Sequence, residues 1–147
     1  MDKKFDVVIV GTGAAGLYAA LNFPESVNIL LVSKRELQLS NSSLAQGGVA
    51  CVLDTVHDSY KLHITDTLIA GKYKNTLSAV EKLVTEGPSD VLKIKDLGVD
   101  FDLNEDGTMC KTLEAGHSRN RIVHHKDSTG KAIVDGLIAK VTQLKNV

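Results

Sequence analysis

The sequence predicts an α/β fold that opens on a βαβ unit, and three observations carry the prediction. The apolar, β-branched run Val7-Val8-Ile9-Val10 breaks at Gly11 and resumes as Leu17-Tyr18-Ala19-Ala20-Leu21, the pattern of a buried parallel strand, a tight turn and a helix. A second apolar run, Val27-Asn28-Ile29-Leu30-Leu31-Val32, follows where the next strand belongs. At the far end Ile133, Leu137, Val141 and Leu144 mark the buried face of a helix starting near Thr129. In this architecture such a helix delivers the chain to another parallel strand, which would begin at Asn146-Val147.

The first turn, Gly11-Thr12-Gly13-Ala14-Ala15-Gly16, gives the unit its Rossmann-like character. Gly11 allows the sharp turn, Gly13 lets backbone approach a pyrophosphate, and Gly16 lets helix and strand pack closely. A pyrophosphate would sit against the unpaired amides and positive dipole end of the helix. At the end of the second strand, where dinucleotide folds usually carry an acidic residue for the ribose hydroxyls, the chain has Ser33-Lys34-Arg35. Two readings follow: Ser33 and Lys34 contact the ribose or adenine end, or Lys34 and Arg35 await the 2′-phosphate of NADP. The loop Ser40-Asn41-Ser42-Ser43-Leu44-Ala45-Gln46-Gly47-Gly48-Val49-Ala50 then favours FAD. Its small polar residues and glycine pair suit a second segment holding the flavin side of a longer dinucleotide.

Composition sets the outer bounds. The 147 residues make one ordinary domain with enough chain for a core. With 17 basic against 18 acidic side chains and a formal charge of −1, nothing points to nucleic acid or a membrane surface. No apolar run reaches the roughly 18 residues of a transmembrane helix. Met1-Asp2-Lys3-Lys4-Phe5-Asp6 lacks the features of a signal peptide, so a cytoplasmic protein is expected. Cys51 and Cys110 have no metal or redox spacing and read as ordinary thiols.

In chain order, Phe5–Val10 is the first strand, Gly13 to about Asn22 the first helix, and Pro24-Glu25-Ser26 a loop. A helix over Asp58–Leu68 is expected from Leu62, Thr65, Leu68 and Ile69, and another over Thr76–Thr85 from Leu77, Val80, Leu83 and Val84. Gly87-Pro88-Ser89 interrupts that pattern, and Pro88 suits the first turn of a further helix running to Leu97. Gly98 closes it as the C′ residue. Val99–Leu103 and Thr108–Cys110 read as a small hairpin around the Asp106-Gly107 turn. Gly130-Lys131 lacks the remainder of a phosphate loop, with Ala132 and His125 at the positions that would need Ser/Thr and Gly.

Several segments together resemble the fumarate reductase/succinate dehydrogenase flavoprotein family, and within it the soluble members that oxidise L-aspartate. They are Gly11–Gly16, Ser33-Lys34, Leu44–Gly48, Asp66-Thr67-Leu68-Ile69-Ala70-Gly71, Glu114–His124 and Asp127-Ser128-Thr129-Gly130-Lys131. The resemblance implies an FAD-binding domain with inserted helices and a small hairpin, occupying residues 1–147 and cut before the capping and C-terminal helical domains. It implies FAD held by Gly11, Thr12, Gly13, Ala14, Ala15 and Gly16, by Ser33 and Lys34, and by Asn41, Ser42, Ser43, Leu44, Ala45, Gln46, Gly47 and Gly48. In the membrane-bound members a histidine six residues before the glycine pair binds FAD covalently. That position is Asn41 here, so non-covalent FAD is expected.

The resemblance also assigns Glu114 to the ammonium group of aspartate and brings His117 near the substrate and flavin. Ala115 stands where the family has glycine, and the proton-transfer arginine would lie beyond Val147, so no catalytic residue is expected in this chain. The implied reaction is oxidation of L-aspartate to iminoaspartate with oxygen or fumarate as acceptor, linked to quinolinate synthase and NAD biosynthesis. A soluble fumarate reductase or succinate dehydrogenase relative, or an NADP- or nucleotide-binding module without redox activity, remains an alternative. His117, His124 and His125 lack the carboxylate or thiol companions of a metal site.

Overall fold

Two small sheets and four helices make up the chain, described for residues 4–147 by a computed structural model. The stretch Met1–Lys3, used above in reading the N-terminus, lies outside the described residues. Strand β1 (Val7–Val10) runs through the glycine turn into α1 (Ala14–Leu21), and β2 (Ile29–Val32) returns parallel to β1, pairing Val7 with Ile29 and Val10 with Val32. A single 3₁₀ turn at Ser42–Leu44 leads into β3 (Val49–Ala50). Then come α2 (Tyr60–Ala70), α3 (Leu77–Asp96), β4 (Lys111–Thr112), β5 (Ile122–Val123) and α4 (Thr129–Val141). β5 is the centre of an antiparallel sheet ordered β3-β5-β4.

The glycine turn forms because the chain must reverse from strand to helix in three residues. Gly11 sits at φ +112°, a region closed to most side chains. Gly16 is packed so tightly on that turn that a Cβ would lie 2.0 Å from the Gly11 carbonyl oxygen. One core cluster joins α1 to α4 through Leu17, Ala20, Val134, Leu137, Ile138 and Val141, with Ile9 and Leu31 of the parallel strands against it. A second gathers Cys51, Val91, Val99, Phe101, Met109 and Val123, and Ile94 and Ile133 touch both. At the C-terminus the Asn146 carbonyl accepts from the Ile29 amide at 2.7 Å, along the edge of β2 away from β1.

Three expectations change. β1 is parallel to β2 but buried on one face only: Ile9 packs on the core while Val8 and Val10 are 58% and 83% exposed. An all-apolar strand is the pattern of a sheet covered on both faces, and among the described residues only the α1/α4 side is covered. Next, the two helices expected on either side of Gly87-Pro88 are one, α3, with Pro88 inside it. Val80, Val84, Pro88 and Val91 fall at helical spacing and are all buried, so one unbroken apolar stripe outweighs the hydrogen bond that a proline withholds. Finally, the hairpin around Gly107 forms but is shorter than expected: Leu103 bridges Met109, the Asn104 amide donates to the Thr108 carbonyl and the Cys110 amide to the Asp102 carbonyl, both at 2.8 Å, while Val99 and Phe101 turn into the core.

Candidate functional site

The strand-to-helix turn meets two other segments at its open end. Thr12 is buried and its hydroxyl donates to Ser33 Oγ at 3.0 Å, tying the turn to the end of β2. The Ala14 amide donates to Ser42 Oγ at 3.1 Å, tying the first turn of α1 to the 3₁₀ turn of the serine loop. Gly13 is needed there, since a Cβ would lie 2.9 Å from that hydroxyl. The amides of Gly13, Ala15 and Gly16 have no acceptor among the described residues, and the first turn of α1 carries no acidic residue. This is a helix end prepared for an anion.

The serine loop is rigid for its composition. Ser40 and Ser43 exchange amide-to-hydroxyl hydrogen bonds at 3.3 and 3.2 Å, and Ser43 Oγ also donates to the Gln38 carbonyl at 2.7 Å. Behind the loop, Gly130 at the start of α4 donates its amide to the Ala45 carbonyl at 3.0 Å. Gly48 passes β5 so closely that a Cβ would lie 2.3 Å from Ile122 Cγ2. Between the two helix starts a cavity of about 200 Å³ is lined by Ala14, Ser42, Ala45, Gly47, Gly48 and Gly130 among others. Asn41, Leu44, Gln46 and Lys34 are exposed. Thus Thr12, Gly13, Ala14, Ser33 and Ser42 are joined directly, while Lys34 and Gln46 have no bond that fixes them among the described residues.

Glu114 and His117 lie elsewhere, in the turn between β4 and β5, where the His117 amide donates to the Glu114 carbonyl at 3.2 Å. Glu114 is exposed; His117 is half-buried and leans on a buried ion cluster. Arg121, 1% exposed, donates through Nε and Nη2 to the two oxygens of Asp58, at 2.8 Å each. Its Nη1 reaches Asp66 Oδ2 at 2.6 Å and His117 Nδ1 at 3.2 Å. Asp66 Oδ2 also accepts from the amide and the hydroxyl of Ser118, both at 2.8 Å. No hydrogen bond among the described residues joins this cluster to the helix-end site.

Charge pairing decides the electrostatics of the cluster. Burial pushes the Asp58 carboxyl upward, but the Arg121 hydrogen bonds, the Ser59 amide and the guanidinium charge outweigh it and hold it below the usual range. Asp66 follows the same balance, with the Ser118 amide ahead of Arg121 among its stabilising partners. Hydrogen bonding to Asp58 raises Arg121 further, against its own burial. His63 on α2, its ring 5.6 Å from that of His117, is held down by burial and by the nearby guanidinium. The sequence reading assigned no role to Arg121, Asp58, Asp66 or His63. A signal was available in His63 and Asp66, three residues apart on α2 and so on one side of it, with Asp58 just before the helix cap Ser59.

Among the described residues no group of His, Cys, Asp or Glu is arranged to hold a metal ion, and no helix is long and apolar enough to cross a membrane. Residues 6–147 match the family described as FAD binding domain. Over all 147 residues the chain is 46% identical to the L-aspartate oxidase of Clostridium perfringens, spanning 33% of that protein. It is 44% identical over 143 residues to the L-aspartate oxidase of Acinetobacter baylyi, covering 97% of this chain and 26% of that one. Among solved structures, E. coli quinol fumarate reductase FrdA superposes with a TM-score of 0.92 at 28% identity, over 97% of this chain and 25% of that chain. Mycobacterium smegmatis Sdh1 in complex with UQ1 gives 0.88 at 31% identity, over 95% and 24%. The chain therefore spans between a quarter and a third of the length of these curated relatives.

Proposed function

The chain belongs to the FAD binding domain family, and from that premise we propose that its residues 1–147 form the N-terminal part of the FAD-binding domain of an L-aspartate oxidase. The match along the whole chain with curated L-aspartate oxidases carries the reading. The open apolar face at Val8 and Val10 supports a longer domain, since the sequence pattern of β1 suits cover on both sides.

The fit to FAD rests on the helix-end site. The free amides of Gly13, Ala15 and Gly16, with Gly11, Thr12 and Ala14 shaping the turn, suit the pyrophosphate; Ser33 and Lys34 suit the adenosine side. Asn41, Ser42, Ser43, Leu44, Ala45, Gln46, Gly47 and Gly48 form a pinned loop along the flavin side, and Asn41 in place of a histidine makes the binding non-covalent. Bound FAD supplies a two-electron acceptor for the hydride that leaves the substrate Cα. The chain's own residues position and select. Glu114 offers a carboxylate to the substrate ammonium, which separates aspartate from succinate, and His117 contributes a hydrogen bond to the same substrate. The product is iminoaspartate, with oxygen or fumarate as final acceptor, feeding quinolinate synthase and NAD biosynthesis in the cytoplasm.

The test is a visible spectrum of the native-length protein before and after acid precipitation, followed by anaerobic addition of substrate. A flavin band that passes wholly into the acid supernatant, and that bleaches with L-aspartate but not succinate, is the expected result. Flavin left in the pellet overturns the use of Asn41. Bleaching by succinate alone points to the soluble succinate dehydrogenase alternative, and NADPH binding without flavin to the nucleotide-binding one.

A further inference from the structure

The buried guanidinium beneath His117 does more than neutralise two carboxylates. Arg121 Nε and Nη2 are spent on Asp58, and Nη1 is shared between Asp66 and His117 Nδ1. A guanidinium has five N–H donors and no acceptor, so the histidine nitrogen that faces it must be the one that accepts. The imidazole proton then resides on Nε2, to which no hydrogen bond is made among the described residues.

The arrangement around the ring is over-determined. Ser118, next in the chain, is held by the same Asp66 oxygen that holds Nη1, so one carboxylate fixes both the backbone beside His117 and the donor aimed at its ring. His63 backs the imidazole at 56° between ring planes. The fork of Arg121 cannot rotate without losing both bonds to Asp58. We propose that Arg121 is a positioning residue that holds His117 as the neutral Nε2–H tautomer, making it a hydrogen-bond donor to a carboxylate oxygen of the dicarboxylate substrate rather than a base. This rests on the reading that His117 faces the substrate. Glu114, whose carbonyl accepts from the His117 amide, shares the same anchored turn, so the acceptor for the ammonium and the donor for a carboxylate are held by one buried ion cluster.

The experiment is ¹⁵N spectroscopy of the histidine-labelled native-length protein, with His117→Gln used to assign the His117 signals. The expected result is a pyridine-type Nδ1 and a pyrrole-type Nε2; the opposite assignment overturns the proposal without any further variant. Arg121→Lys keeps a positive charge but cannot fork across Asp58 while also reaching the ring. It should average the two nitrogens and raise KM for L-aspartate about tenfold, the size of one lost hydrogen bond, with kcat little changed. An unchanged spectrum in a folded Arg121→Lys protein also overturns it. A protein with the expected tautomer and the Arg121 dependence but no turnover of L-aspartate refutes the activity proposed above and leaves the positioning role standing.

Discussion

Gly130→Ala sets two ordinary rules against each other, and the structure decides between them. Gly130 is the second residue of α4, where helix propensity alone favours alanine by about 0.5–1 kcal/mol. A Cβ there would lie 2.0 Å from the Ser42 carbonyl oxygen, 2.7 Å from the Ala45 carbonyl oxygen and 2.9 Å from Ala45 Cβ. Two of the three are backbone oxygens that cannot swing away, and carbon–oxygen contacts settle near about 3.3 Å or more. The serine loop must therefore retreat by roughly 1 Å, straining the Gly130–Ala45 hydrogen bond and the Ser42–Ala14 bond with it. Overpacking of this kind costs about 1–3 kcal/mol and a lost hydrogen bond about 1 more, which outweighs the propensity gain. The expected outcome is a net loss of about 1–3 kcal/mol, a Tm lower by several degrees, and weaker retention of FAD. Thermal unfolding followed by circular dichroism, with flavin fluorescence for FAD release, measures both. Gly87→Ala is the internal comparison, because a Cβ at Gly87 meets nothing within 4 Å. If Gly130→Ala melts at or above the wild type with FAD equally tight, the account of α4 as the backing of the loop is wrong.

Three further perturbations test other parts of the structure. Pro88→Ala restores an amide to the middle of α3 at the expense of a buried ring; about 3 kcal/mol of helix cost against about 1 of lost burial predicts a higher urea midpoint. Asp58 and Asp66 both titrate below their ordinary 3.8 in the folded chain. The unfolded chain thus takes up their protons first, so their contribution is complete above pH 3.8 and is lost as pH falls through the folded values. His63, lowered from 6.5, adds a loss of the same sign that begins at higher pH. Urea midpoints measured from pH 7 to 3 should fall first through His63 and then through the two carboxylates, and Asp58→Asn should flatten the acid limb. Cys51 is 1% exposed with its thiol pushed up to about 12 by burial, so peptide mapping after thiol labelling at pH 8 should find Cys110 modified and Cys51 protected until the fold is opened.

What the sequence disclosed follows the range of the forces involved. The β1–α1 turn was legible because Gly11, Gly13 and Gly16 act within a few residues: a positive φ, a cap beside a hydroxyl and a helix–turn contact. The serine loop was legible as a partner for that turn, though not its support by Gly130, because the contact that needs a missing side chain spans 88 positions from Ser42. α3 was misjudged where local and distant signals disagree. Gly87-Pro88 predicts an end, yet the stripe through Val80, Val84, Pro88 and Val91 is buried, with α3 packed mainly on α2 and Val91 in the second core, whose positions no local window contains. The hairpin at Gly107 was legible because its turn and its Leu103–Met109 pairing lie within a few residues, while the pairing of Lys111-Thr112 with the distant β5 was not.

Arg121 was the least legible residue, and its burial bears on what it is for. Nothing local separates it from Arg119, which is exposed and donates to the His57 carbonyl. Only the fold brings Asp58 and Asp66, 63 and 55 positions away, to its fork. A buried ion pair is weak evidence of stabilisation, because desolvation offsets most of its Coulombic gain and apolar replacements of the whole group are often neutral. Removing Arg121 alone should cost about 3–5 kcal/mol, since two carboxylates would be left unpaired. Replacing all three together, Asp58→Leu, Asp66→Leu and Arg121→Met, should recover most of that loss. If stability were the whole purpose of the cluster, the triple variant would also keep KM for L-aspartate. If the cluster orients His117, stability returns while the KM defect and the mixed His117 tautomer remain, because no apolar side chain can present an N–H to Nδ1.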